Sequence, residues 1–489
     1  MTDIVLCVIP GLSVNEIVLA PSKLKGYLNN AGISSKILDF NNQFYRKFRQ
    51  GDMFQRVWNW MISVADNGDF EARAEYIKFN NDCVEQILSI SPNYVGINFF
   101  SYMSQKSGKL LAQELKKRNP NIKIVIGGPG ISDTGFNEGS ASTELLIKEN
   151  IVDECIRGPG EEALVSYIKN KPYAKVELLQ ISSVSREILN SQIYPIFDDY
   201  DFSLYDNHMI PIMGSRGCVR KCSFCDVHTT SKFQNRTAEN IFDEMVYNAE
   251  KYNCYYFSFT DSLINGNLKE FTRLLQLLSD YNQTATTKIK WISQYIVRPE
   301  KVLSDSYWKL LSDSAVEINI GLESGSDAVR LHMNKDFTNI DVEYTFRKCK
   351  EYNIRVSLMM ISGYPSETQQ HFQETLDFFT RNVEYKDIIE RIPIGNGLSI
   401  IPNSPLAMNA NSLHIILDEK YVDNWVALDN PELTLAERFR RHNILGDHLK
   451  SLGYNVIHNR VEEDRIKSEE ALYERRNKIK KMIKLKYEQ

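Results

Sequence analysis

Twice along this 489-residue chain, short apolar runs alternate with helix-patterned stretches, and that alternation restricts the fold more than any other feature. An apolar run too short for a buried helix reads as a strand covered on both faces, which requires parallel pairing and helical crossovers. The first block spans residues 1–170. Its predicted strands are Ile4–Ile9, Ser35–Phe40, Tyr94–Phe100, Ile122–Ile126 and Glu154–Arg157, with helices over Pro21–Asn30 and Ser104–Arg118. Pro21 suits a first helical turn, and Asn119-Pro120 stops the second helix. Residues 41–91 are long for a crossover, carry Trp58 and Trp60, and predict additional helices. The expectation is an α/β fold with a doubly wound, Rossmann-like parallel sheet.

The alternation resumes over residues 209–406. Strands are expected at Met209–Met213, Tyr255–Thr260, Lys288–Tyr295, Glu317–Leu322, Val356–Ile361 and Gly397–Ile401. The helices between them are Ala238–Tyr252, Leu268–Tyr281, Val302–Ser312, Asp341–Tyr352 and Thr368–Arg381. Thr237 can cap the first of these, and Ile241, Met245, Val246 and Ala249 form its apolar stripe. Six strand–helix units are too few to close an eight-fold barrel. Residues 171–208 read as a linker, polar and turn-rich at Asp198-Asp199-Tyr200-Asp201. Residues 407–489 form a mostly helical extension in which Leu428–Leu449, with Arg438, Arg440, Arg441, His442 and His448, is expected to cap the second domain. The basic run Lys478, Lys480, Lys481, Lys484, Lys486 reads as a solvated helical face in preference to a nucleic-acid site.

A net charge of −5 supplies no global basic field for nucleic acid, so none is expected as a partner. No apolar run approaches the ~18–20 residues of a membrane span, and the N-terminus has an acidic residue where a signal peptide carries positive charge. Eight cysteines, of which three cluster, point to a reducing compartment, and the expected location is cytoplasmic.

The three clustered cysteines lie in Gly214–His228, GSRGCVRKCSFCDVH, with Cys218, Cys222 and Cys225 spaced CxxxCxxC. Three thiolates on one short loop can each take one iron of a 4Fe-4S cube and leave the fourth iron open. Gly214 and Gly217 would let the backbone turn tightly, and Arg216, Arg220 and Lys221 would offset the thiolate charge. Two other readings stand beside this one. His228 could complete a four-ligand zinc site, and three loose buried thiols would be the plainest outcome. A disulfide would leave one cysteine over.

With Phe224 before the third cysteine, the loop resembles the CxxxCxΦC signature of radical S-adenosylmethionine (radical SAM) enzymes. The resemblance implies a partial (β/α)6, TIM-like barrel and a 4Fe-4S cluster on Cys218, Cys222 and Cys225 whose open iron binds SAM, with Phe224 near the adenine. Active-site groups of such barrels sit at strand C-termini. A single carboxylate there is more often a helix cap or a surface ion pair, but Asp261 and Glu323 stand at corresponding places after the second and fourth expected strands. FTDSLINGN, GLESGSDAVRLHMNK and MMISGYPSET resemble the second-, fourth- and fifth-strand signatures. They imply SAM contacts at Asp261, Ser262, Ser293, Gln294, Glu323, Ser357 and Gly363.

The first block resembles the cobalamin-binding domain that precedes the barrel in one radical SAM subclass. The likeness lies in the first strand with Pro10, LKGYL at Leu24–Leu28, Asp39, IVIGGPGIS and GPGEEAL. It implies cofactor contacts at Pro10, Ser101, Gly127, Gly128, Gly158 and Glu161. The first histidine is His208, so any cobalamin would be held without histidine ligation; a vestigial domain enclosing substrate is the alternative. The implied activity is reductive SAM cleavage to a 5'-deoxyadenosyl radical and cobalamin-dependent methylation of an unactivated carbon. The expected partners are a small-molecule or natural-product substrate and an electron donor such as flavodoxin or ferredoxin. Rearrangement, cyclisation or oxidation without methyl transfer is the first alternative. Methylthio transfer would call for three further cluster cysteines, whereas Cys7, Cys83 and Cys155 lie far apart. A structural metal-binding protein is the non-enzymatic alternative.

Overall fold

The computed structural model describes all residues except 1, 13–14, 50, 64–67, 132–142, 174–181, 396, 419–421 and 474–489. The basic run from Lys478 to Lys486 and Ser132 of the IVIGGPGIS motif lie outside the described residues. Two compact units emerge, Met1–Ile212 with Asp243–Phe257, and Met213–Phe242 with Ser258–Gln489. Among the described residues, no helix is long and apolar enough to cross a membrane.

In the first unit, strands β1 (Ile4–Val8), β2 (Ser35–Asp39), β3 (Tyr94–Asn98), β4 (Lys123–Gly127) and β5 (Glu154–Ile156) form a sheet of order β2-β1-β3-β4-β5. Every pair in it is parallel. The chain reverses direction across the sheet between β1 and β3, the switch point at which doubly wound sheets leave a crevice beyond their strand C-termini. Each expected strand is present, four of them shortened by a residue or two and β4 shifted by one residue. Phe40, predicted to end the second strand, instead begins helix Phe40–Phe48, because the Asp39 carboxylate accepts the Asn42 N–H at 2.8 Å and caps the helix there. The long crossover holds three helices, Phe40–Phe48, Met53–Ile62 and Phe70–Ile90. Their Phe44, Val57, Trp60, Tyr76 and Phe79 join Val5, Cys7 and Val95 of the sheet in one apolar core.

Segment 194–207, read as linker, is laid along this unit. Asp199 pairs with the buried Lys25 ammonium and accepts the Ile37 N–H at 2.8 Å, while Tyr205 donates to Asp39 at 2.8 Å. Gly26 is required for this contact, since a Cβ there would come within 2.4 Å of the Tyr194 carbonyl oxygen.

The second sheet contains β6 (Ile210–Ile212), β9 (Tyr256–Phe259), β10 (Lys290–Gln294), β11 (Ala315–Glu323), β12 (Arg355–Met360), β13 (Ile389–Pro393) and β16 (Val456–Ile457). Its order is β16-β13-β12-β11-β10-β9-β6. Two short hairpins use the remaining strands, β7 (Ser215–Arg216) with β8 (Gln234–Asn235), and β14 (Ile415–Ile416) with β15 (Val426–Ala427). On β11, Ile318, Ile320 and Leu322 are buried, and Glu317, Asn319, Gly321 and Glu323 share the opposite face. Helix Ala238–Tyr252 has its predicted bounds, with Thr237 Oγ1 accepting the Asn240 N–H.

One expected strand is corrected. Gly397–Ile401 is not a strand, and the sixth unit is β13 at Ile389–Pro393. Leu398 and Ile400 were misleading because their apolar character serves a separate cluster with Tyr364, Leu406 and Trp425. The true strand carries Glu390 and Arg391 at its centre, which masks it in an apolarity count. The predicted helix Val302–Ser312 starts later, at Asp305, because Ser304 Oγ caps it by accepting the Tyr307 N–H.

Candidate functional site

The cysteine loop is closed at its root by the β7–β8 hairpin, so residues 217–233 project as one excursion. Gly217 adopts φ +69, and a Cβ there would lie 2.7 Å from the Lys232 carbonyl group, which makes glycine obligatory at the narrowest point. Several bonds anchor the excursion. Ser223 N–H donates to the Met333 carbonyl at 3.0 Å, and its own carbonyl accepts Leu406 N–H at 2.8 Å. The Tyr364 hydroxyl donates to the His332 carbonyl at 3.0 Å, which leaves Ser223 Oγ as donor in the 2.8 Å contact between the two hydroxyls. Asn334 Nδ2 donates to the Lys221 carbonyl at 2.9 Å.

All eight cysteines are free thiols, and Cys222 is the most buried of the three on the loop. Burial raises the pKa of Cys218, Cys222 and Cys225, and the Lys335 ammonium acts against that rise at all three. The Arg220 N–H further donates to Cys218 Sγ at 3.3 Å. Thiolates buried beside a cation are what an anionic iron–sulfur assembly requires. Among the described residues no three His, Cys, Asp or Glu side chains converge on one metal position. A cube spreads its three thiolates over three irons, whereas zinc draws its ligands to a single point. His228 sits on the same excursion with a buried Nδ1 that has no partner among the described residues.

Lys335 escaped sequence reasoning. It lies twelve residues beyond Glu323, inside the quoted GLESGSDAVRLHMNK run, where its spacing alone carries no signal. In the fold its ammonium pairs with Glu323 Oε1 at 2.8 Å, donates to the Gly321 carbonyl at 2.9 Å and stands 5.6 Å from the Phe224 ring centroid. Glu323 holds a left-handed backbone, φ +63, at the C-terminus of β11. For a glutamate this conformation is sparsely populated, and such residues cluster at functional sites. Phe224 packs against the cluster formed by Tyr364, Leu398, Ile400, Leu406 and Trp425.

The other expected contacts fall in different surroundings. Asp261 stands at the root of the excursion, where its buried carboxylate accepts the Gly214 N–H at 2.7 Å and the Ser215 hydroxyl at 2.5 Å. Desolvation lifts its pKa to about 7 against the pull of those donors. Ser262 is exposed beside it. Ser293 is buried on the same face of β10 as Trp291, with its hydroxyl on the Gln294 carbonyl. Gln294, on the opposite face, has its amide nitrogen 3.9 Å from Met359 Sδ. Ser357 donates to Glu317 Oε1 at 2.6 Å, in the first half of its strand. Gly363, φ +77, turns the loop after β12.

In the first unit, the expected contacts lie at the strand C-termini but are largely committed to neighbouring groups. The Pro10 carbonyl accepts the Ser107 hydroxyl at 2.6 Å, and the Ser101 hydroxyl donates to the Gly11 carbonyl at 3.2 Å. The Gly127 carbonyl accepts Phe99 N–H at 2.8 Å, and a Cβ on Gly128 would come within 2.4 Å of the Phe99 carbonyl oxygen. Gly158 turns the loop after β5 at φ +74, and Glu161 pairs with Lys23 at 3.1 Å. Two groups remain open there. The buried Asn98 Nδ2 has no acceptor among the described residues, and the Phe100 side chain is exposed. A large ligand held by shape and a few polar contacts suits this edge, and no imidazole is offered to it.

Comparison with known proteins bears on both units. Residues 212–379 match the family model described as the Radical SAM superfamily. The chain is similar to a tRNA-2-methylthio-N(6)-dimethylallyladenosine synthase of Clostridium novyi, 22% identical over 65% of this chain and 65% of the relative. A protein of the same name from Hydrogenobaculum is 24% identical over 56% of this chain and 61% of its own length. The chain thus spans just under two thirds of these two relatives. In fold it is similar to the cobalamin-dependent S-adenosylmethionine radical enzyme OxsB with aqua-cobalamin bound. That match has a TM-score of 0.64 and 14% identity, covering 96% of this chain and 70% of the other. It is also similar to the radical S-adenosylmethionine methyltransferase TsrM from Kitasatospora setae, with a TM-score of 0.59 and 16% identity over 84% and 76% of the two chains.

Proposed function

We propose that this protein, whose residues 212–379 form a radical SAM domain, is a cobalamin-dependent radical SAM enzyme that methylates an unactivated carbon of a small-molecule substrate. The observation that carries the reading is the anchored excursion presenting Cys218, Cys222 and Cys225 beside the Lys335 ammonium. When bound, a 4Fe-4S cluster on these cysteines supplies the electron that cleaves SAM, and cobalamin on the N-terminal sheet supplies a methyl carrier.

The chain's own part is to hold, orient and exclude. The three thiols are the ligands. Lys335 keeps positive charge beside them, and Glu323 with Lys335 offers one carboxylate and one ammonium to the zwitterionic end of SAM. Phe224 and the loop at Gly363 present apolar and backbone groups suited to the adenine. Asp261 fixes the root of the excursion through Gly214 and Ser215. Packing of Phe224, Tyr364 and Trp425 in one apolar cluster helps keep water from a radical that would react with its nearest neighbour.

The methylthiotransferase names of the relatives suggest a second reading, but a second cluster on the N-terminal unit finds poor support. Cys7 and Cys83 are buried in the apolar core, where desolvation drives both thiols far above their ordinary range, and Cys155 is on β5. Anaerobic reconstitution with iron, sulfide and cobalamin, followed by metal analysis and dithionite-driven assay, tests the proposal. The expected result is about four irons and one cobalt per chain, with 5'-deoxyadenosine formed from SAM. Cys222→Ala should abolish that cleavage; retained cleavage would sink the cluster assignment. Four irons without cobalt would redirect the search to rearrangement, cyclisation or oxidation, and zinc without SAM cleavage would select a structural metal site.

A further inference from the structure

We propose that helix Leu435–Ser451, outside the matched family segment, completes the SAM site through a buried Arg441–Glu367 pair that positions the loop after β12. The inference rests on the radical SAM reading above, in which Gly363 of this loop meets the cofactor.

Within loop 361–368 one backbone turn is closed by the Glu367 N–H donating to the Tyr364 carbonyl at 2.8 Å. Ser362 Oγ and Ser366 Oγ are buried without partners among the described residues, and Gly363 requires a left-handed turn. Helix Leu435–Ser451 adds contacts from outside the loop. Glu367 Oε1 accepts the Gly363 N–H at 3.1 Å and the Arg441 Nη1–H at 3.0 Å, so one carboxylate oxygen joins the loop's turn to the helix. Arg441 Nη1 lies within 2.9 Å of the Glu367 carbonyl and 3.3 Å of the Thr368 carbonyl. Glu437, one turn earlier, fixes the guanidinium from behind through Nε at 3.0 Å. Asn430 Nδ2 adds donors to the Pro365 and Glu367 carbonyls at 3.1 and 2.9 Å. Arg438, fully buried and stacked 3.7 Å over Trp425, places its stem where a Cβ of Gly363 would stand.

Both members of the pair are nearly inaccessible, with side chains 4% and 2% exposed. A buried pair adds little net stability over an apolar substitute but is unforgiving of losing one partner, which suits a device that selects one loop conformation. Arg441 and Glu367 are therefore positioning residues that act on SAM through Gly363.

The test uses the reconstituted full-length protein and S-adenosylhomocysteine, which carries the same adenosine. Arg441→Gln and Glu367→Gln should each weaken its binding about tenfold and raise KM for SAM by a similar factor, with kcat for 5'-deoxyadenosine formation within about twofold. Backbone amides of residues 363–368 should lose hydrogen-exchange protection, while those of β11 keep theirs. Unchanged affinity and unchanged loop protection in folded variants would overturn the inference. If either variant fails to fold, Glu437→Gln at the helix surface serves instead. Faster exchange at 363–368 with weaker binding supports the proposal, and no change in either refutes it. Failure of the wild type to bind S-adenosylhomocysteine or cleave SAM would instead count against the radical SAM reading itself.

Discussion

Asp261 illustrates how the task of a single side chain depends on the atoms around it. Its place at the end of β9 suggested an open contact, yet its oxygens are turned onto Gly214 and Ser215. Its folded pKa, about 7, lies above the unfolded value near 3.9, so between those values the folded state binds the extra proton. Stability contributed by this group is therefore full below about pH 4 and declines as pH rises toward 7. Denaturant titrations of Asp261→Asn should lack that decline, and parallel pH profiles for wild type and variant would refute it. Lys335 is the opposite case, silent in sequence and central in space. Lys335→Met strands a buried Glu323 carboxylate and should cost about 3 kcal/mol in urea unfolding. It also removes a charge that lowers all three thiol pKa values, so alkylation of the apoprotein's loop cysteines should shift to higher pH.

At the scale of elements, segment 194–207 behaves as part of the N-terminal sheet. Asp199 is bound at once by the Lys25 ammonium and the Ile37 N–H, and both pair members are largely buried. Asp199→Asn should therefore destabilise the protein by about 2–4 kcal/mol, measured as a lowered urea midpoint with unchanged slope. The elements themselves were largely legible, because periodicity of 2 or 3.6 is written in adjacent residues. Five strands of the first sheet and five of the second were found this way. β13 was missed because its central Glu390 and Arg391 break the apolar run, while Leu398 and Ile400 imitate one. β16, two residues long and far downstream, has no local signature and is defined only by pairing with Ile392 and Pro393.

For the molecule as a whole, the eight cysteines divide by environment. Cys7, Cys83 and Cys349 are buried in apolar surroundings that hold their thiols protonated, Cys222 is buried on the loop, and Cys155, Cys218, Cys225 and Cys254 are partly exposed. Mass-spectrometric mapping after iodoacetamide treatment should find Cys7, Cys83 and Cys349 protected in the native apoprotein. Cluster reconstitution should add protection at Cys218, Cys222 and Cys225 alone. Added protection at Cys155 would instead revive a second cluster.

The sequence by itself determined the two α/β blocks and the spacing of the cysteine loop. Both are short-range properties: strand and helix periods repeat within a few residues, and Cys218, Cys222 and Cys225 fall within eight residues. Only the tertiary structure decided which polar groups remain open. Ser357 is committed to Glu317, Ser101 to Gly11 and Asp261 to the excursion's root, while Lys335 pairs with Glu323 and Arg441 with Glu367. A hydrogen bond depends on where strands and helices bring two atoms together, and separations such as the 74 residues between Glu367 and Arg441 leave no trace in local pattern.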